Sequence, residues 1–195
     1  MRTLSVSETL ALVCNGRTGI SQPNTFGGSS VGSFPVFVKP DTSGHKSDAG
    51  LVIEAKNGGE LEDALRKISP EKAIIQEKIS GTEIILGAKR DPVFGTVVLV
   101  GIGGTLAEAY SDVSTGVFPV SERDAERMLA SLKAQKILDG FRGKPAIDRK
   151  ALSRAISALG ELADEKKIIE LDINPLICTA EGRLVAVDGR AVLEE

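Results

Sequence analysis

The sequence is poor in aromatic residues, in cysteine and in long apolar runs, and each shortage excludes a class of protein. Aromatic residues make up 4% of the 195 positions, so a core has to be built from Val, Ile, Leu and Ala. Cys14 and Cys178 lie near opposite ends without the spacing of a metal site or a disulfide framework, which predicts two free thiols. Apolar runs such as 96–102 are too short to cross a bilayer, so we expect no membrane association and a cytoplasmic location.

The sequence also lacks an excess of basic residues. Its 24 Lys and Arg residues stand against 27 Asp and Glu residues, giving a formal net charge of -3. Proteins that bind nucleic acid neutralise phosphates with clustered Lys and Arg, and no such cluster is found in the sequence. We therefore expect no nucleic-acid partner.

Short β-rich runs alternate irregularly with amphipathic helical patterns. Helices are expected at 60–68, 121–136 and 148–164, with Ser121 and Asp148 as N-caps, and a short one at 7–13. Because the order is mixed rather than strictly alternating, it favours an α+β fold. The predicted strands are 35–39, 51–55, 73–78, 83–89, 96–101, 168–173 and 184–188.

The strongest chemical pattern is an acidic pair of strands near the carboxyl end. Alternation along 170–176 directs Glu170, Asp172 and Asn174 to one face, and the turn at 179–182 returns a second strand that ends at Asp188. Oxygen ligands from two adjacent strands suit Mg²⁺, which completes its octahedron with water and substrate phosphates. A surface hairpin with solvated acids is the alternative interpretation.

A second pattern is basic and rich in small residues. Lys39 emerges from a predicted strand, and the loop 43–50 contains Ser, Gly, His45 and Lys46, groups that can bind phosphate oxygens. The order of a Walker A loop is absent. His45 is the one histidine of the chain, and it is either a solvated loop residue or a phosphoryl carrier.

A third group of residues follows the middle of the chain. Arg90 either clamps a phosphate or lies at an exposed hairpin end. The glycines of 101–104 lack the third spaced glycine of a dinucleotide-binding motif, and they favour tight turns over a phosphate cradle.

Together these segments resemble the ATP-grasp region of ADP-forming (NDP-forming) acyl-CoA synthetases, from about residue 35 to the end. The acidic strands are also similar to the metal-binding strands of succinyl-CoA synthetase β subunits. The five matching segments, in order, are 45–50 (His-Lys-Ser-Asp-Ala-Gly), 90–95 (Arg-Asp-Pro-Val-Phe-Gly), 101–104 (Gly-Ile-Gly-Gly), 140–143 (Gly-Phe-Arg-Gly) and 170–176 (Glu-Leu-Asp-Ile-Asn-Pro-Leu).

The resemblance implies a two-lobed ATP-grasp fold with antiparallel or mixed sheets and flanking helices. It places the small lobe at 1–75 and the large lobe, with the metal-binding strands, at 76–195. Mg²⁺ and ATP or ADP are the implied ligands. The implied catalytic residue is His45; the implied nucleotide-binding residues are Lys39, Lys46, Gln76, Glu77, Lys78, Ile79, Glu83 and Arg90; the implied metal ligands are Asp172, Asn174 and Asp188.

The resemblance also implies a reaction and a partner. Family members interconvert acyl-CoA, ADP and phosphate with carboxylate, CoA and ATP, through an acyl phosphate and a phosphohistidine. CoA binding and the main phosphohistidine belong to a separate subunit or domain, so we expect a hetero-oligomer in which this chain supplies nucleotide binding. Two alternatives are a degenerate ATP-grasp interaction module and the ATP-grasp domain of a protein-acetyltransferase fusion. The stretch 19–32 is shorter than in family members, so we expect either a trimmed small lobe or a chain that is incomplete at this point.

Overall fold

Two β-sheets, each with its own core, make up the computed structural model, which describes residues 1–27, 31–43, 52–104, 112–141 and 145–194. In this part of the chain the helices are α1 (Val6–Val13), α2 (Gly58–Ile68), α3 (Glu122–Ser131), α4 (Gln135–Leu138) and α5 (Arg149–Glu165), with a 3₁₀ turn at Pro70–Lys72. The strands are β1 (Arg2–Thr3), β2 (Ile20–Ser21), β3 (Thr25–Phe26), β4 (Val36–Pro40), β5 (Ile53–Ala55), β6 (Ala73–Glu77), β7 (Thr82–Asp91), β8 (Gly95–Ile102), β9 (Val113–Val117), β10 (Ile168–Cys178), β11 (Leu184–Ala186) and β12 (Arg190–Leu193).

The small sheet has the strand order β3-β6-β4-β5 and is antiparallel throughout. Helix α2 covers one of its faces, because Leu61, Ala64 and Ile68 recur at helical spacing and pack with Val36 and Val38 of β4. The opposite face, which carries the alternate side chains of β4 and β6, is left for the cleft described below.

The large sheet runs β1-β12-β10-β7-β8-β9, and the short β11 pairs with both β10 and β2. All of these pairs are antiparallel except β11 with β2. Helix α5 packs across β7, β8 and β10 through fully buried residues such as Leu152, Ile156 and Leu159. The predicted α+β class with mixed sheets is confirmed.

Most predicted elements lie where the patterns place them, and two differ for local reasons. The helix expected at 121–136 ends at Ser131, because the Asp112 carboxylate accepts hydrogen bonds from the amides of Lys133 and Ala134, both at 2.8 Å, and fixes an extended break before α4. Strand β10 continues through Pro175 to Cys178 instead of ending at 173. The missing amide of Pro175 is accommodated where the register of β10 with β7 shifts, between Ile173 and Leu176.

The amino-terminal segment corrects the expected lobe division. The sequence places residues 1–75 in the small lobe, but β1 pairs with β12, β2 pairs with β11, and α1 buries Leu10 and Val13 in the core of the large sheet. Strands of two residues carry no readable pattern, so this nonlocal pairing is invisible in the sequence. The small sheet begins at β3 and ends at Glu77 of β6.

Both N-cap predictions are confirmed. The Ser121 side chain accepts from the amide of Asp124 at 3.2 Å, and Asp148 accepts from the amide of Ala151 at 2.9 Å. None of the helices in the described ranges combines the length and the apolarity that a bilayer crossing requires.

Candidate functional site

A cleft of about 300 Å³ lies where the two sheets face each other. Both sheets contribute to it, and so does the linker that joins β6 to β7. Its walls combine apolar side chains with two lysines and three acids, a composition that suits a ligand with an aromatic part and a charged part. The lining residues are Phe37, Lys39, Val52, Gln76, Glu77, Lys78, Ile79, Glu83, Pro175, Ile177, Val187 and Asp188.

Strand β4 directs Lys39 into this cleft. Alternation sends Val36 and Val38 into the small core, so Phe37 and Lys39 emerge on the opposite face. Lys39 is only 6% exposed. Its ammonium group donates to the carbonyl of Val187 and lies 3.7 Å from Oδ1 of Asp188, which joins the small sheet to the large one.

The linker after β6 forms the back of the cleft and is anchored to the small sheet. The Glu77 carboxylate accepts from the amide of Asn24 at 2.9 Å and from its side-chain nitrogen at 3.0 Å. Lys78 lies 3.1 Å from a carboxylate oxygen of Glu54 and 5.7 Å from the centre of the Phe37 ring. Gln76, Glu77, Lys78 and Ile79 are thus brought together in one wall, as predicted, although their proposed contact with a base stays a prediction.

Glu83 enters the cleft from the first part of β7, and the glycine run predicted as a turn packs behind it. The Gly103 amide donates to the Glu83 carbonyl at 2.8 Å, and a Cβ on Gly103 would lie 3.0 Å from the Glu83 carbonyl carbon. Gly104 has a φ of +91°, which a side chain rarely allows. These glycines permit a close approach of two chain segments.

The two carboxy-terminal segments that carry the predicted metal ligands pair with each other. Leu176 pairs with Ala186 and Asp172 pairs with Arg190, so Asn174, halfway between Asp172 and Leu176, lies opposite Asp188 in the same antiparallel register. The predicted turn is confirmed by the bond from the Gly182 amide to the Thr179 carbonyl at 3.1 Å.

The donor set of these strands fits a hard divalent cation. Asp188, with its side chain one-quarter exposed, lines the cleft. The register places Asn174 opposite Asp188, but Asn174 is not among the described residues that line the cleft. Within the described ranges no group of three or more His, Cys, Asp and Glu residues forms an all-protein metal site. Mg²⁺ bound with substrate phosphates needs only one or two carboxylates, so this small donor set suits Mg²⁺ better than a structural metal.

Asp172 lies on β10, two residues before Asn174. It lines a second cavity of about 390 Å³ on the large sheet, together with Lys89, Asp91 and Glu170. Glu170 in turn lies 3.4 Å from Arg190. Asp172 lines this second cavity rather than the cleft, so its role as a metal ligand stays a prediction.

Arg90 is not brought into the cleft. It faces α5, where its Nη2 lies 4.0 Å from Oδ1 of Asp164, on the side of β7 that also buries Ile84 and Leu86. It lies seven positions after Glu83, roughly 23 Å along an extended strand. The structure therefore gives no support to a nucleotide contact by Arg90, and it matches the alternative of a hairpin end.

Two predicted residues, His45 and Lys46, lie outside the described residues, so their roles stay predictions. Several residues that line the cleft were not predicted from the sequence, among them Phe37, Ile177 and Val187. Phe37 could have been predicted, because it lies two positions before Lys39 in a predicted strand and therefore shares its face.

Comparison with known proteins shows similarity in sequence and in fold. The sequence pattern of the family described as "ATP-grasp domain" matches residues 33–193. The chain is 40% identical over 163 residues to subunit beta of acetate–CoA ligase [ADP-forming] I from Pyrococcus furiosus, covering 76% of this chain and 70% of that one. It is 38% identical over 153 residues to 4-hydroxybutyrate–CoA ligase [ADP-forming] from Nitrosopumilus maritimus, covering 71% of this chain but only 22% of that one.

A solved structure shares the fold at full length. It is the dinucleotide-forming acetyl-coenzyme A synthetase 1 of Ca. Korarchaeum cryptofilum in complex with coenzyme A and Mg-AMPPCP, with its phosphohistidine segment pointing towards the nucleotide binding site. The TM-score is 0.81 at 33% identity, and the match covers 98% of this chain and 93% of that chain.

Proposed function

Because the chain belongs to the ATP-grasp domain family, we propose that it binds Mg-ATP or Mg-ADP between its two sheets as the nucleotide-binding part of an ADP-forming acyl-CoA synthetase. The main support for the proposal is that Lys39, the linker, Glu83 and Asp188 all line the same cleft. The chain spans 22% of the N. maritimus ligase and 70% of the P. furiosus subunit, so the complete reaction involves protein beyond it.

The lining of the cleft supports a separate position for each part of a nucleotide. The base would lie between Phe37 and Ile177 and against Ile79 of the linker, three residues that line the cleft. Glu83 lies on the large-sheet side, where a ribose hydroxyl can donate to its carboxylate. The phosphates then extend towards Lys39, whose largely buried ammonium group attracts them more strongly than a solvated one would.

Asp188 and Asn174 would hold Mg²⁺, with Asp172 beside them, and the ion would neutralise phosphate charge during transfer. The chain's own residues would position the phosphates and stabilise their charge. Phosphoryl transfer needs positioning and charge stabilisation more than covalent help from the protein. Lys39 supplies a fixed positive charge, and the apolar walls exclude water that would compete with the acceptor.

The acceptor follows from the family's chemistry. A CoA-binding subunit or domain would carry the phosphohistidine that takes the phosphoryl group from ATP or returns it to ADP, in the conversion of acyl-CoA, ADP and phosphate into carboxylate, CoA and ATP. His45 is a second candidate carrier on this chain. The N. maritimus relative is named for 4-hydroxybutyrate and the P. furiosus relative for acetate, so membership of the family does not identify the acyl group.

Calorimetry with ATP, in the presence and absence of Mg²⁺, tests nucleotide binding directly. We expect saturable binding that Mg²⁺ strengthens; absence of heat under both conditions would instead favour a degenerate interaction module. A second experiment tests the subunit role by measuring ATP formation from acetyl-CoA, ADP and phosphate. We expect none from the isolated chain and turnover after addition of the CoA-binding subunit of a two-chain relative. Turnover by the chain alone would contradict the proposal.

A further inference from the structure

The end of strand β4 is fixed to the large sheet by a contact that lies outside the cleft. Asp41, the residue after the strand, accepts two hydrogen bonds from Ser7 of α1: Oδ1 accepts from the amide nitrogen at 3.0 Å, and Oδ2 accepts from the hydroxyl at 2.6 Å. The Asp41 amide donates to the carbonyl of Lys72 at 2.6 Å. Asp41 is thus held through both its backbone and its side chain.

The helix that receives this contact is a rigid part of the large sheet. Ser5 is the N-cap of α1 and accepts from the amide of Glu8 at 3.3 Å, which leaves the Ser7 amide, in the first turn, without a partner inside the helix. The first turn of a helix carries partial positive charge, and a carboxylate is the side chain it favours. Asp41 therefore completes the capping of α1 from the other sheet.

Helix α1 also touches the segment that follows Asp188. A Cβ placed on Gly189 would lie 3.0 Å from Cγ2 of Thr9, so helix and strand are in close packing at this point. Thr9 is fully buried. Asp41 is two residues after Lys39, and Gly189 is one residue after Asp188. The contact between Asp41 and Ser7 therefore connects the two chain segments that carry the facing charges of the cleft.

We propose that Asp41 is a positioning residue: with Ser7 it holds the end of β4 against α1 and so keeps the Lys39 ammonium group facing Asp188, where the phosphates of a nucleotide lie. This inference rests on the proposed function. It assigns Asp41 no contact with nucleotide. It predicts that loss of the contact weakens the interaction with phosphates and leaves the interaction with the base unchanged.

The test is a comparison of Mg-ATP and adenosine binding by calorimetry in the wild type, D41N, S7A and the double variant. Because Asp41 accepts its two hydrogen bonds as a charged group, we expect D41N to bind Mg-ATP about tenfold more weakly. S7A removes only the hydroxyl bond and keeps the amide bond, so it should lose less affinity than D41N. The double variant should lose less than the product of the two single losses, since both changes act on the same contact. Adenosine affinity should stay unchanged in all of them.

Asp63 offers a matched control. It is an exposed carboxylate of α2, 2.9 Å from Arg66 and outside the cleft, so D63N should bind like the wild type. Equal Mg-ATP affinity of D41N and wild type would overturn the positioning role alone, as would a parallel loss of adenosine and Mg-ATP affinity, which indicates a general structural effect. No Mg-ATP binding by the wild type would overturn the proposed function and this inference together.

Discussion

The Lys39 ammonium nitrogen lies 3.7 Å from Oδ1 of Asp188, although the two residues come from different sheets. The same ammonium group donates to the carbonyl of Val187, 148 positions away in sequence. In the proposed function these two side chains act on different ligands, the lysine on phosphate and the aspartate on Mg²⁺. Without nucleotide they neutralise each other, and this relationship makes the effects of substitution opposite in sign for the two ligands.

Replacement of Lys39 with Gln should weaken ATP binding and strengthen binding of Mg²⁺ alone. The first effect follows from loss of a cation beside the phosphates and should be at least about tenfold. The second follows because the Asp188 carboxylate loses a neighbouring positive charge that competes with the metal. Calorimetric titrations with ATP and, separately, with MgCl₂ measure both.

The control for this substitution is K67Q, which removes an exposed lysine from α2. It should leave both affinities at the wild-type value. A K39Q variant that binds Mg²⁺ more weakly than the wild type would contradict the proposed competition. D188N completes the set: its ATP affinity should no longer respond to Mg²⁺.

Arg90 provides a test between sequence resemblance and geometry. Because its guanidinium group faces Asp164 of α5 rather than the cleft, R90Q should bind Mg-ATP with wild-type affinity. The same calorimetric titration, with K39Q as the variant that must lose affinity, measures this. A loss of affinity in R90Q comparable to that of K39Q would restore the nucleotide contact that the resemblance implies.

Strand alternation alone predicts that Arg90 and Glu83 lie on opposite faces of β7. Glu83 and Arg90 are seven positions apart in one continuous strand, and side chains an odd number of positions apart point to opposite faces. The two residues could not both line the cleft.

The remaining gaps have a different cause. The patterns located most of the long strands and helices because their apolar residues recur with a fixed period, as in β8 and α5. The sequence patterns did not predict β12, which residues 187–189 separate from β11. They also did not predict β9, where small and exposed side chains give no strong alternation. Two further features join residues that are far apart in sequence: the pairing of β1 with β12 and the contact of Lys39 with Asp188. The periodicity of apolar residues within a short segment cannot predict such long-range contacts.

Both cysteine thiols should be unreactive in the folded chain. Burial raises the pKa of Cys14 to about 11 and that of Cys178 to about 12. At pH 8 a thiol of pKa 11 is roughly 0.1% thiolate, against roughly a quarter for an unperturbed thiol, and only the thiolate is the nucleophile. Labelling with Ellman's reagent at pH 8 should therefore be slow in buffer and rapid in guanidinium chloride. Rapid labelling of either cysteine in the native chain would contradict this prediction.

The linker between the two sheets should tolerate no side chain at Gly81. A Cβ there would lie 2.2 Å from the carbonyl oxygen of Cys178 and 2.7 Å from Cγ2 of Ile177, a residue that lines the cleft. Alanine therefore has to push the linker away from β10, and overpacking of this kind costs roughly 1–3 kcal/mol. We expect G81A to lower the urea midpoint of unfolding and to weaken Mg-ATP binding, because the displaced linker forms the back of the cleft.

The matched control is G58A at the first residue of α2, where a Cβ meets no heavy atom within 4 Å. Alanine is the better helix former, by up to about 1 kcal/mol, so G58A should leave the urea midpoint unchanged or raise it. Its Mg-ATP affinity should equal that of the wild type. A G81A variant with both the midpoint and the affinity of the wild type would show that the linker can move without cost, and the close packing of Gly81 on β10 would then have no part in holding the cleft together.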